Sequence, residues 1–273
     1  MLFMNIISID LLYLPFIQRA LIAGITLGLL LACLGVFATL RRMAFFGDGV
    51  AHASLAGIAI AILSGLTPLP VALVWAVAVA IFIFLLERKI KIPSDSLIGI
   101  IFTASMALGI ILMRFTPGYQ PDLISYMFGN ILAIQTVDLW VTTGITILIL
   151  TWLWFSRNKL TFMSLSEESA AVAGVAVTRH TLLLYVSLAL ATVLAVKMLG
   201  IILVSALIII PPATSRLLAK NFRQYFILAI VAAEIAILAG LLASFQLDLP
   251  SGASIVLAGT ALFILALIFK KKT

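Results

Sequence analysis

A chain of 273 residues that is 64% hydrophobic and only 10% charged cannot be a water-soluble domain, which carries about 25% charged residues. The mean hydropathy of +1.30 comes from long unbroken apolar runs, each near the roughly 20 residues that cross a bilayer core as a helix. Their lack of period-two alternation excludes a barrel. The net charge of +7 does not point to nucleic acid, because the cations gather at the ends of the apolar runs.

The first run covers about 14–40 and ends at Arg41 and Arg42. It is too long for a cleaved signal and has no basic N-terminal region, so a retained helix is expected. It holds Cys33, the single cysteine, which rules out an intrachain disulfide or a cysteine metal cluster and reads as a buried thiol. The second run, 43–64, carries Asp48 and His52 amid small residues. The third, 68–87, ends in Glu87, Arg88, Lys89 and Lys91, and the fourth is 96–113. Residues 117–135 read as an external connection with a short helix.

The fifth run, 136–156, has Trp140, Trp152 and Trp154 near its ends, as an aromatic belt would. The connection 157–179 follows, with Arg157, Lys159 and Arg179. Within it Ser166 can cap a short helix, Glu168 lies in the first turn and Gly174 is a suitable stop. The next apolar stretch is interrupted by Lys197 and Gly200. It divides into 180–196 and 199–213, either two crossings or a crossing plus a half-helix, and His180 stands at its start as an interfacial residue. The eighth run, 224–244, contains Glu234, and the ninth, 252–269, ends in three lysines.

Connections rich and poor in basic residues alternate. Residues 65–68 and 244–251 have no Lys or Arg, and 114–135 has only Arg114. The positive-inside rule then places the N-terminus outside and the C-terminus in the cytoplasm. That needs an odd number of crossings. Nine fits, and eight would follow if one more segment were re-entrant. The expected fold is all-α, a polytopic membrane protein of about eight or nine helices forming one domain over 1–273.

Asp48 and His52 are four apart, so a helix stacks them on one face. Ionisable side chains inside a span are expensive and usually face a pathway or a partner. Carboxylate and imidazole are also ligands for zinc and related ions. A buried structural pair is the competing reading. Two ligands make an incomplete site, which suits an ion that must leave again. The small residues from Gly47 to Gly57 favour close helix packing. Lys197 is expected to snorkel or to pair with a carboxylate. Asp248, in an external turn without Lys or Arg beside Pro250, is either a cap or an external contact point. The 157–179 connection is either a solvated connector or a docking element. There is no phosphate-binding Gly-Lys-Ser/Thr loop and no His-Glu-x-x-His, so neither an ATPase nor a metalloenzyme is expected.

Three stretches carry a resemblance. Arg41 to Gly57, Val196 to Thr214 and Asp248 to Leu257 resemble, in order, the signatures of metal-uptake ABC permeases for zinc, manganese or iron. Ser125 to Ala133 is most similar to the bacterial high-affinity zinc-uptake permease, although Asn130 stands where that form often has Asp. The resemblance implies the membrane subunit of a zinc importer in the bacterial plasma membrane, with manganese or iron(II) as alternative cargo. It implies a homodimer, two cytoplasmic ATP-binding subunits and an extracytoplasmic metal-binding protein, with no cofactor of its own. It makes Asp48 and His52 a transient metal contact or gate, and Glu168, Ala170 and Gly174 part of the ATPase-docking element. A secondary transporter acting alone would need no such element.

Overall fold

The computed structural model describes residues 15–43, 45–90, 94–115 and 134–270. They form ten helices: α1 (Pro15–Leu40), α2 (Phe46–Leu63), α3 (Pro68–Lys89), α4 (Ser94–Arg114), α5 (Thr136–Leu165), α6 (Glu167–Val172), α7 (Val177–Leu199), α8 (Ile201–Leu218), α9 (Phe222–Leu247) and α10 (Ser251–Phe269). All except the six-residue α6 are long and apolar enough to cross a membrane, nine candidate spans among the described residues. Nine crossings put the Arg41–Arg42, Arg88–Lys89, 157–179 and 216–223 connections on one face, as the charge pattern requires. Of the expected external connection 117–135, residues 117–133, with the Ser125 to Ala133 motif, lie outside the described residues.

The interrupted stretch is two helices. α7 and α8 meet at a single buried residue, Gly200, whose φ of 83° suits glycine far better than any residue with a Cβ. Two boundaries differ most from the apolar pattern. α5 runs to Leu165 rather than 156, and α8 to Leu218 rather than 213. Hydropathy marks where the bilayer ends, whereas a helix continues while it still has something to pack on. Leu160 and Met163 are buried beyond the membrane portion of α5. The 157–179 connection is therefore mostly helix.

The inner helices are α1, α2 and α7. α1 packs on α5, α7, α8 and α9, and α2 on α3, α4, α7 and α8. The outer helices turn large apolar side chains outward, such as Leu257 and Ile268 of α10, as expected where the surroundings are lipid. Without a hydrophobic drive between helices in lipid, close backbone approach holds the bundle together. Pro212 has no N–H for the Ile208 carbonyl four residues earlier. Gly35 of α1 lies against that carbonyl, so near that a Cβ at position 35 would sit 2.4 Å from the oxygen. Gly109 of α4 approaches the Ala56 backbone of α2 in the same way, at 2.9 Å.

Candidate metal pathway

α2 starts at Phe46, so Asp48 falls in its first turn. There the free N–H groups and the helix dipole favour a carboxylate. His52 Nε2 stands 3.7 Å from Asp48 Oδ1. That is too long for a hydrogen bond and close to the roughly 3.4 Å that separates two ligands on a tetrahedral ion with bonds of about 2.1 Å. Ser205, in the second turn of α8, donates to the same Asp48 oxygen at 2.9 Å. Ser205 was not singled out from sequence, because a serine in an apolar helix ordinarily bonds its own backbone. It does this too, to Ile201 O at 3.2 Å.

The Asp48 side chain is 35% exposed and that of His52 19%, while Gly47, Gly49, Val50, Ala51 and Ala53 around them are buried. The two functional groups thus occupy the one strip of early α2 that this chain leaves uncovered. The His52 ring lies beside Phe102 of α4, centroids 5.6 Å apart, and its Nδ1 is buried without a hydrogen-bond partner. A histidine in a permanent metal site is normally held by a second partner on its other nitrogen; this one is not. No group of three or more His, Cys, Asp or Glu side chains placed to hold a metal ion occurs among the described residues. One chain therefore offers two ligands and a hydroxyl, an open arrangement suited to a passing contact.

The strip is held rigidly from behind. A Cβ on Gly47 would meet Ile208 Cδ1 at 2.4 Å, and one on Gly49 would meet Ile98 Cγ2 at 2.6 Å. The Trp75 indole donates to Ala53 O and to Ser105 Oγ, and Ser105 donates to Ala53 O, each at 3.1 Å. This triangle pins α2, α3 and α4 beside His52.

Further along α2 lies a cavity of about 110 Å³ bounded by Ser54, Ile58, Val193, Val196 and Lys197. Lys197 does pair with a carboxylate. Its Nζ donates to Asp138 Oδ1 at 2.5 Å, and Asp138 also accepts from Gln135 N at 3.3 Å. The positive charge beside the cavity is thereby countered.

On the cytoplasmic side Ser166 caps α6 by accepting from Ser169 N at 3.1 Å. Glu168 is exposed, and Gly174 (φ 81°) stands in open space. Ala170 is fully buried. Its side chain seats α6 on the bundle. The apolar side chains turned outward are Leu165, 82% exposed, and Val172, 90% exposed. Arg41, read from sequence only as a topology marker, pairs with Glu167 and donates to Thr181 Oγ1 at 3.2 Å. Arg88 donates to Thr178 Oγ1 at 2.9 Å, and Tyr185 to Glu87. The Arg41 bonds tie α6 and the start of α7 to the connection that leads into Asp48, and the other two tie α7 to the end of α3.

The remaining candidates take structural positions. Asp248 is exposed and ends α9 with φ 51°, its N–H bonded to Ser244 O, as its turn-and-cap reading requires. His180, in the first turn of α7, is buried against the bundle, with Nδ1 3.0 Å from Ala176 O. Both Glu234 carboxylate oxygens are buried without a hydrogen-bond partner. Cys33 is a buried free thiol, as expected.

The sequence matches the ABC 3 transport family over residues 13–270. It is 37% identical, over 94% of this chain and 88% of the relative, to the manganese transport system membrane protein MntC of Halalkalibacterium halodurans. It is 34% identical, over 93% and 97%, to the high-affinity zinc uptake system membrane protein ZnuB of Haemophilus influenzae. The solved structure of PsaBC from Streptococcus pneumoniae in complex with Fab matches with a TM-score of 0.85 and 34% identity, covering 97% of this chain and 95% of that one. The chain thus belongs to the ABC 3 transport family: it is the multi-pass membrane permease subunit of a bacterial ABC importer for metal ions, and not the ATPase.

Proposed function

We propose that the cargo is a divalent first-row metal ion, manganese in the first instance, and that it passes Asp48 and His52. The observation that carries this reading is the uncovered strip of α2, where a carboxylate, an imidazole and the Ser205 hydroxyl meet without closing a site. Two oxygen donors and one nitrogen, with no thiolate, suit a harder ion. Manganese is also the metal named for the relative at 37% identity. This moves the cargo away from the zinc expected from the sequence motifs. Zinc is the second reading, supported by the imidazole and by the zinc-uptake relative.

The same strip supports a homodimer. A second copy facing it would double the ligands to four around a shared axis, and the whole chain 1–273 would act as one permease unit. Two ATPase subunits would dock on α6 through the exposed Leu165 and Val172, with Glu168 and Gly174 shaping the element. An extracytoplasmic binding protein would deliver the ion, and the exposed turn at Asp248 is a candidate contact for it.

The test is uptake by the complex reconstituted in liposomes with ATP inside, offered manganese, zinc and iron(II) separately and in competition. Manganese accumulation is expected. Zinc accumulation with manganese excluded would reverse the cargo, and no ATP-dependent uptake of any of the three would overturn the reading.

A further inference from the structure

α5 and α9 both pack on α1, and between them lies a cleft of about 800 Å³ whose floor is Cys33. Its walls are apolar, with Leu153 on one side and Phe226 and Ile230 on the other. The polar part of its lining is Arg157, Asn158 and Arg223. Arg157 stands 21 positions along α5 from Thr136, which is about 32 Å of helix, the thickness of a hydrocarbon core. Arg223 is in the first turn of α9. By the topology above, both guanidinium groups reach the headgroup level of the cytoplasmic leaflet.

The Arg157 guanidinium lies over the Trp154 ring, 4.2 Å from its centroid, which holds it at the cleft without neutralising it. Neither arginine pairs with a carboxylate among the described residues. The cleft therefore offers two uncompensated cations and an amide above a deep apolar trough. That is the chemistry of an anionic headgroup with acyl chains attached. A soluble phosphate would use the arginines but leave the trough unfilled.

We propose that the cleft is a binding site for an anionic phospholipid of the cytoplasmic leaflet, its phosphate between Arg157 and Arg223 and its acyl chains along α5 and α9. A cationic side chain near an anionic membrane surface contributes about a fivefold preference, so the pair gives about 25-fold.

The experiment uses the permease–ATPase complex in nanodiscs of phosphatidylcholine doped with phosphatidylglycerol, with retained lipid identified by native mass spectrometry. Phosphatidylglycerol should be retained over phosphatidylcholine by about 25-fold. Arg157→Gln and Arg223→Gln should each reduce that preference about fivefold, and the double variant should abolish it. Arg216→Gln, an exposed cation outside the cleft, should leave it unchanged. Ile227→Trp, which fills the cleft with its charges intact, should expel lipid of either kind. Equal retention of the two lipids by the parent overturns the proposal, as does a preference that survives the double variant. So does displacement of the lipid by glycerol phosphate. Cross-linking of Ile227→Cys between two copies of the chain would give the cleft to a partner subunit and overturn it equally.

Discussion

Lys197→Met breaks the ion pair at the end of α7, and its effect should be unequal to that of Asp138→Asn. The Asp138 side chain is 10% exposed and that of Lys197 41%. Removing the lysine strands a nearly buried carboxylate, an error that costs about 3–5 kcal/mol when both partners are buried. Here one partner is well exposed, so screening reduces the expected loss to about 2 kcal/mol. Removing the charge from Asp138 frees a lysine that can turn to water, and an asparagine oxygen can still accept from Gln135 N. That loss should be about 0.5–1 kcal/mol. The double variant should lie within about 1 kcal/mol of the parent, because no charge is left without its partner. Thermal unfolding of the purified permease, followed by tryptophan fluorescence, gives the ranking. Uptake should rank the other way: Asp138→Asn leaves an uncountered cation lining the cavity along α2 and should slow transport more than Lys197→Met. Equal destabilisation by the two single variants, or a double variant equal to their sum, would refute the reasoning.

Glu167→Gln should leave folding almost intact, since the Glu167 side chain is 55% exposed, yet should lower uptake severalfold while ATP hydrolysis continues; both rates are read on the same liposomes. Gly240→Ala places a Cβ 2.3 Å from the Ile255 Cα and should destabilise by about 2–3 kcal/mol. Gly144→Ala, with nothing within 4 Å, should be neutral or stabilising by up to about 1 kcal/mol, and thermal unfolding separates the two. Val172→Asp should reduce recovery of the ATPase with the permease on affinity purification without changing the unfolding temperature.

The architecture was legible because lipid leaves a chain few choices. Apolar length gave nine spans, and the cations at 41–42, 88–91, 157–179 and 216–223 oriented them. Hydropathy failed where helices leave the bilayer, at Ser156 and Ala213, because it reports solvent and not packing. Asp48 and His52 stood out as ionisable residues in a span, and the structure places them on one uncovered strip. Ser205 could not be found this way, since its partner is 157 positions distant and only the α2–α8 crossing joins them. The Arg41–Glu167 pair was hidden for the same reason: each residue has a sufficient local explanation, as a topology marker and as a helix-start carboxylate. Ala170 is a motif position whose side chain is turned inward, where it supports the surface beside it.

The central claim is that cargo touches Asp48 and His52 on its way through the membrane. Its most direct test is ATP-driven manganese uptake by the reconstituted complex carrying Asp48→Ala or His52→Ala, with ATP hydrolysis and complex assembly measured in the same preparation. Loss of even an outer partner of a metal ligand lowers affinity or activity about 10- to 100-fold, so uptake should fall at least tenfold in each variant while the complex still assembles. Uptake at the parental rate by both variants would contradict the pathway.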